Sequence, residues 1–314
     1  MAKHREALPT LSNDIFITDG GLETVLIFKK GWNLPCNAAF VLLESSKGRK
    51  ALAEYYQEYL AIARKYRIGF ILESPTWCAS ADWILRAGYP ENTIVDFNRN
   101  AVSLLRSIRD EHEKNGIPIV ISGCIGPRGD GYIVDNRMTA SQAESYHYKQ
   151  IQILSNTEAD LVSAFTVNYS DEAIGMASAA KALHMPIVIS FTVETDGKLP
   201  SGETLGQAIQ KVDQATQNAC AYYMINCSHP AHIEKALVVG GSWMKRIRGV
   251  RSNASIKSHE ELNNSTELDE GNPVEFGEQY LKLKSLLPNL NVLGGCCGTN
   301  HLHVEEICRK FVKN

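Results

Sequence analysis

Short, densely apolar runs alternate along the chain with longer segments whose apolar positions recur every three to four residues, the spacing of one buried helical face. Strands are predicted at 15–19, 69–73, 118–123, 161–165, 186–193, 222–226, 245–250 and 291–294. Each is followed by a predicted helix, at 46–66, 93–115, 141–157, 171–183, 204–218, 231–239, 273–286 and 301–311. The seventh strand is the least apolar, being rich in arginine, and a long polar loop follows it. Strands covered on both faces should be continuously apolar, as 118–123 and 186–193 are. Eight strand–helix units in 314 residues predict an α/β chain folded as a (β/α)8 TIM barrel, a single domain over residues 1–314. A doubly wound open sheet is the alternative topology.

Composition narrows the class of partner. A formal net charge of −3 gives no electrostatic footprint for nucleic acid or a membrane surface. No apolar run approaches the roughly 20 residues of a membrane span, and residues 1–14 lack the apolar core of a signal peptide. The expectation is a cytoplasmic enzyme acting on small molecules. In a reducing compartment, the eight cysteines should be free thiols or metal ligands and not a disulfide framework.

Three of those cysteines carry chemistry. Cys296 and Cys297 are adjacent within Gly294-Gly295-Cys296-Cys297-Gly298, and Cys227 stands in Ile225-Asn226-Cys227-Ser228. Both segments follow predicted strands, so a barrel would gather them on its carboxyl rim, where barrel active sites lie. Asp19, ending the first strand, belongs on the same rim. Three thiolates suit zinc and leave a fourth tetrahedral position open for chemistry. A vicinal disulfide or a redox couple is the alternative for the adjacent pair. Zinc with three thiolates carries negative charge, which suits it poorly to generating hydroxide. It is better suited to holding a fourth, substrate thiol as a thiolate, whose electron-rich sulfur attacks carbon. Cys36, Cys78, Cys124, Cys220 and Cys308 read as small buried hydrophobes. Of these, Cys78 and Cys124 follow strands on the active face, and either could supply a fourth ligand or a redox-sensitive thiol.

Taken together, these motifs resemble the homocysteine S-methyltransferase family of zinc-dependent (β/α)8 barrels. The resemblance runs through Asp19-Gly20-Gly21-Leu22-Glu23-Thr24, Ser122-Gly123-Cys124-Ile125-Gly126-Pro127 and Leu199-Pro200-Ser201-Gly202-Glu203-Thr204-Leu205. It continues through Asn226-Cys227, Ser252-Asn253-Ala254-Ser255, Ser258-His259-Glu260-Glu261-Leu262 and Gly294-Gly295-Cys296-Cys297-Gly298-Thr299. It implies Cys227, Cys296 and Cys297 as zinc ligands, with the homocysteine sulfur taking the open position and attacking an activated methyl group to give methionine. It also implies that Asp19 helps bind the substrate amino group, with Gly20 and Gly21 presenting N–H groups nearby. Asn226 is either a donor to a thiolate or a turn residue.

His259 reads as a polar surface or loop-ordering residue and not a ligand. Glu194 and Asp196 either face a cationic methyl donor or belong to a solvated loop. One position departs from the family pattern: Phe165 stands where many members carry a glutamate for the substrate amine. Asn168, Glu172 or Glu194 would then compensate, or the acceptor is a different small thiol or selenol. The chain ends soon after the last predicted helix, leaving no room for cobalamin or folate modules. A sulfonium donor is therefore expected, S-methylmethionine or S-adenosylmethionine. A barrel that binds zinc or thiol without turnover is the non-enzymatic alternative.

Overall fold

The computed structural model describes residues 2–113 and 116–312. Its strands are β1 (Phe16–Ile17), β2 (Gly69–Glu73), β3 (Ile119–Ile125), β4 (Leu161–Val167), β5 (Ile187–Phe191), β6 (Cys220–Asn226), β7 (Ile247–Ser252) and β8 (Val292–Gly295). Each pairs in parallel with the next, and β8 pairs back onto β1, closing the (β/α)8 barrel that the alternation of segments predicts. The helices are α1 (Leu22–Thr24), α2 (Ser46–Tyr66), α3 (Ala81–Arg86), α4 (Ile94–His112), α5 (Ala140–Ser155) and α6 (Ser170–Ala182). They continue as α7 (Leu205–Thr216), α8 (Pro230–Leu237), α9 (His259–Asn263), α10 (Pro273–Leu286) and α11 (His301–Phe311). The expected end of the second long helix, at residue 115, lies outside the described residues. Among the described residues no helix is long and apolar enough to cross a membrane.

Helix starts are written in side chains. Thr139, Thr204, Ser258 and Asn300 each accept from the third backbone N–H of the helix they open, and the residue there answers back, satisfying two orphan donors at once. Ser258 opens α9 inside what reads from sequence as a long polar loop, and α3 is likewise a short helix between expected elements.

Two apolar layers result. The larger lies between strands and helices, with Ile119, Ile121, Val162 and Ile189 on the outward faces of their strands. The smaller fills the barrel interior with Phe16, Ile71, Val120, Leu161, Val188, Tyr222 and Val292. Along β2, β3 and β4 the same inward parity then turns polar, at Glu73, Ser122 and Ser163, before Cys124 and Phe165. A dry plug therefore underlies a polar rim.

Strand seven departs from its expected bounds. Residues 242–246 form a 3-10 turn instead, after Gly240 and Gly241, and the strand begins two residues late. Arg246 is drawn off to Asp213 at 2.8 and 3.0 Å, so the strand runs on through Arg251 and Ser252.

The opposite end of the barrel is closed by Asp160. Its carboxylate accepts from the Lys3 and His4 amides at 2.7 Å, the Ile121 amide at 2.9 Å and Arg109 at 2.9 Å. Asp160→Asn is expected to cost about 2 kcal/mol, the scale of a hydrogen bond to a charged group. A thermal melt reads it, and an unchanged midpoint would show that this clasp contributes nothing.

Candidate functional site

The carboxyl rim opens into a cavity of about 440 Å³ lined by residues at or just past the carboxyl ends of seven of the eight strands, Asp19, Trp77, Cys124, Thr166, Cys227, Asn253 and Cys297 among them. The Sγ atoms of Cys227, Cys296 and Cys297 lie within 4.8 Å of one another, the one such group of potential ligands among the described residues. Cys227 is buried, whereas Cys296 and Cys297 are half-buried toward the cavity. The sulfurs of Cys227 and Cys296 are in direct contact, with Cα atoms 5.4 Å apart, and Cys297 is free. Ligation of a metal requires all three in the reduced form. The donor set, three soft sulfurs with two accessible from the cavity, fits zinc, whose bonds to sulfur are about 2.3 Å. Cys124 is not part of the cluster and packs in the barrel interior, so the structure removes it as a fourth ligand.

Local backbone geometry aims these sulfurs. Cys227 has φ +52° and Thr166 φ +61°, a left-handed conformation that is a genuine outlier for β-branched threonine. Asn226 holds Thr166 there: its Oδ1 accepts from the Thr166 amide at 2.9 Å and from Ser190 Oγ at 2.7 Å, and its Nδ2 donates to Thr166 Oγ1 at 2.9 Å. Thr166 Oγ1 in turn lies 3.9 Å from Cys227 Sγ. Asn226 thus reaches the sulfur through Thr166. After the adjacent pair, Gly298 at φ +78° lets the chain turn against the Asp269 carbonyl, where a Cβ would stand at 2.6 Å.

Burial pushes the Cys297 thiol up to about 11, against a hydrogen bond from Tyr132 that favours its thiolate. Tyr132 also stacks on His259, with ring centroids 3.9 Å apart. His259 bridges Glu194 at 2.8 Å and the Cys227 carbonyl at 2.6 Å, the loop-ordering part expected of it, and it occupies Glu194.

The remaining charge centres on Arg251, which sequence reasoning passed over. Its Nη2 donates to Asp19 at 2.6 Å and to the Gly20 carbonyl at 3.0 Å, and its Nε donates to the Gly295 carbonyl at 3.0 Å. Tyr55 donates to the other Asp19 oxygen at 3.1 Å. Burial disfavours the guanidinium charge, but attraction to Asp19 and Glu73 outweighs it and holds Arg251 above its ordinary value. The guanidinium lies 4.9 Å from the centroid of the Phe165 ring, which gives the departure at that position a role: Phe165 is the aromatic platform for Arg251.

Asp19 is therefore already engaged on both oxygens. The Gly21 N–H, expected to face substrate, donates instead to the Thr299 carbonyl at 3.1 Å, and the Cys296 carbonyl would stand 2.6 Å from any Cβ at Gly21. These glycines allow the first loop to lie against the cysteine turn. The signal for Arg251 was present in the sequence, as an arginine in a barrel strand next to a rim motif.

Fold and site together define a class: closed parallel barrels carrying a three-cysteine cluster at the carboxyl rim. Residues 16–311 match the family model described as homocysteine S-methyltransferase, and the chain belongs to that family. Homocysteine S-methyltransferase 3 of Arabidopsis thaliana is 25% identical over 203 residues, 61% of this chain and 57% of that protein, so the match spans little more than half the relative's length. The solved structures of the homocysteine methyltransferase MmuM from Escherichia coli share the fold. Its metallated form superposes with a TM-score of 0.73 at 18% identity, covering 98% of this chain and 100% of that one. Its oxidized form gives 0.74 at 19% identity, covering 98% and 99%.

Proposed function

We propose that this chain transfers a methyl group from a sulfonium donor, S-methylmethionine or S-adenosylmethionine, to the sulfur of homocysteine, with zinc held by Cys227, Cys296 and Cys297. The observation that carries the reading is the convergence of the three sulfurs on a cavity large enough for two small ligands, in a chain of this family. A relative described as a homocysteine methyltransferase with a metallated form supports it. Zinc in such a site supplies one thing, the deprotonation of an incoming thiol at neutral pH.

The protein's own residues do the rest. Tyr132 and Thr166 stand beside Cys297 and Cys227, where their hydroxyls orient the sulfurs and spread the thiolate charge. Leu22, Ile27, Phe28 and Trp77 make part of the cavity wall apolar and exclude water. That matters because the reaction destroys charge. The thiolate forms a carbon–sulfur bond as the sulfonium's bond to the same methyl breaks, leaving two neutral thioethers. A poorly solvating wall favours such a step over the charged reactants. From S-methylmethionine both products are methionine.

The test is direct. Reduced, zinc-loaded protein is incubated with homocysteine and each sulfonium, and methionine is quantified. Formation of methionine with at least one donor is expected. No product with either donor would sink the reading, and a panel of other small thiols and selenols would then decide between a different acceptor and a barrel that only binds.

A further inference from the structure

We propose that Glu73, at the end of β2, selects an amino-bearing acceptor: its carboxylate receives the ammonium group of the thiol substrate. This rests on the methyl-transfer reading for the identity of the thiol, but its own ground is the charge inventory of the cavity. Among the described residues, Arg251 is the one lysine or arginine lining it, against the carboxylates of Asp19, Glu23, Glu73, Glu267 and Asp269. Arg251 contacts Asp19 and two backbone carbonyls, leaving Glu73 without an ion-pair contact.

Glu73 is 5% exposed, yet it lines the cavity. Its Oε1 accepts a long hydrogen bond from Ser163, 3.4 Å, the Ser122 hydroxyl also favours the carboxylate, and among the described residues its Oε2 has no hydrogen-bond partner. A buried carboxylate without a counter-ion is costly and is expected to pair or to neutralise. Burial accordingly raises its carboxyl to about 7, although Arg251 pulls the other way. A compact ammonium with three donors meets both needs, charge and hydrogen bonds. The acceptor is the ligand concerned because Glu73 sits beside the apolar plug, at the cavity floor. The methyl donor has to reach the sulfur from the open side, so the floor is left to the polar end of the thiol.

The groups that surround Glu73 come from five elements: Asp19 after β1, Tyr56 of α2, Cys124 of β3, Tyr222 of β6 and Arg251 of β7. Tyr56 donates to the Glu73 carbonyl at 2.7 Å and does not reach its carboxylate. Glu23 of α1, on the same cavity wall, is also raised to about 7, and Glu73 changes charge near neutrality, its carboxyl held at about 7 by burial. Below that pH it is neutral and offers the ammonium no ion pair; above it the carboxylate is formed. Discrimination for the amino group therefore increases as pH rises through about 7.

Calorimetric titration of the reduced, zinc-loaded protein with homocysteine and with 4-sulfanylbutanoate, the same chain without its amino group, tests this. Wild type should prefer homocysteine by about 10–100-fold, the value of a charge-assisted hydrogen bond. Glu73→Gln should abolish the preference by weakening homocysteine alone, Glu73→Asp should keep part of it, and all variants should melt like wild type. The wild-type preference should grow between pH 6 and 8, so the proposal stays testable even if a variant fails to fold. Equal binding of the two thiols by wild type, no homocysteine binding, or a preference that survives in folded Glu73→Gln overturns it. The two readings fail separately: preference without methionine formation sinks the transfer reaction, and methionine formation without preference sinks the role of Glu73.

Discussion

Cys297→Ala is expected to fold normally and to hold almost no zinc, falling from about one ion per chain to less than about a tenth under reducing conditions. Removing a half-buried sulfur should cost no more than about 1 kcal/mol of stability. Removing one of three thiolate donors should nonetheless abolish high-affinity metal binding, because two sulfurs no longer enclose the ion. Methyl transfer should drop by more than the roughly 10–100-fold typical of residues that only support a ligand. The matched control is Cys124→Ala, which lies on the same cavity wall outside the cluster and should retain its zinc. Elemental analysis of the three proteins decides the matter. Equal zinc in wild type and Cys297→Ala would remove Cys297 from the ligand set, and loss of zinc in Cys124→Ala would return that cysteine to it.

The second large effect belongs to the ion pair between Arg251 and Asp19. Both groups are buried, and among the described residues neither has another charged partner within hydrogen-bonding distance. Arg251→Met would strand the Asp19 carboxylate and release the carbonyls of Gly20 and Gly295, on which the first loop and the cysteine turn depend. Breaking one side of a buried pair typically costs about 3–5 kcal/mol, which for a chain of this size lowers the melting midpoint by on the order of 10 °C. Turnover should fall with it, since the cysteine turn loses its tie to the first loop. Asp19→Asn in the same background should restore part of the stability by removing the stranded charge, without restoring activity. Additive effects of the two substitutions on the melting midpoint would show that the contact carries no energy of its own.

The barrel was legible because its signals are local. Eight apolar runs separated by amphipathic segments leave few other topologies, and the rim cysteines stand out as two adjacent thiols directly after a strand. The placement of Cys227 near Cys296 and Cys297 followed from the fold rule that strand ends converge. Other features were illegible for a physical reason. In a strand buried on both faces, apolar residues occupy inward and outward positions alike, so alternation does not reveal which side chains enter the barrel. The expected seventh strand ended at residue 250, two short of Ser252, which left Arg251 outside it and hid its inward position, and with it the reason for Phe165.

The sequence by itself therefore determined the architecture and the three cysteines that the rim gathers, both of which depend on residue type and on spacing along the chain. Only the tertiary structure decided how charge is paired. It tied Asp19 to Arg251, engaged the Gly21 amide with Thr299, bent Thr166 into a left-handed conformation under Asn226, and, among the described residues, left Glu73 Oε2 without a hydrogen-bond partner. Pairing depends on distances between strands distant in sequence, and these exist only once the barrel is closed.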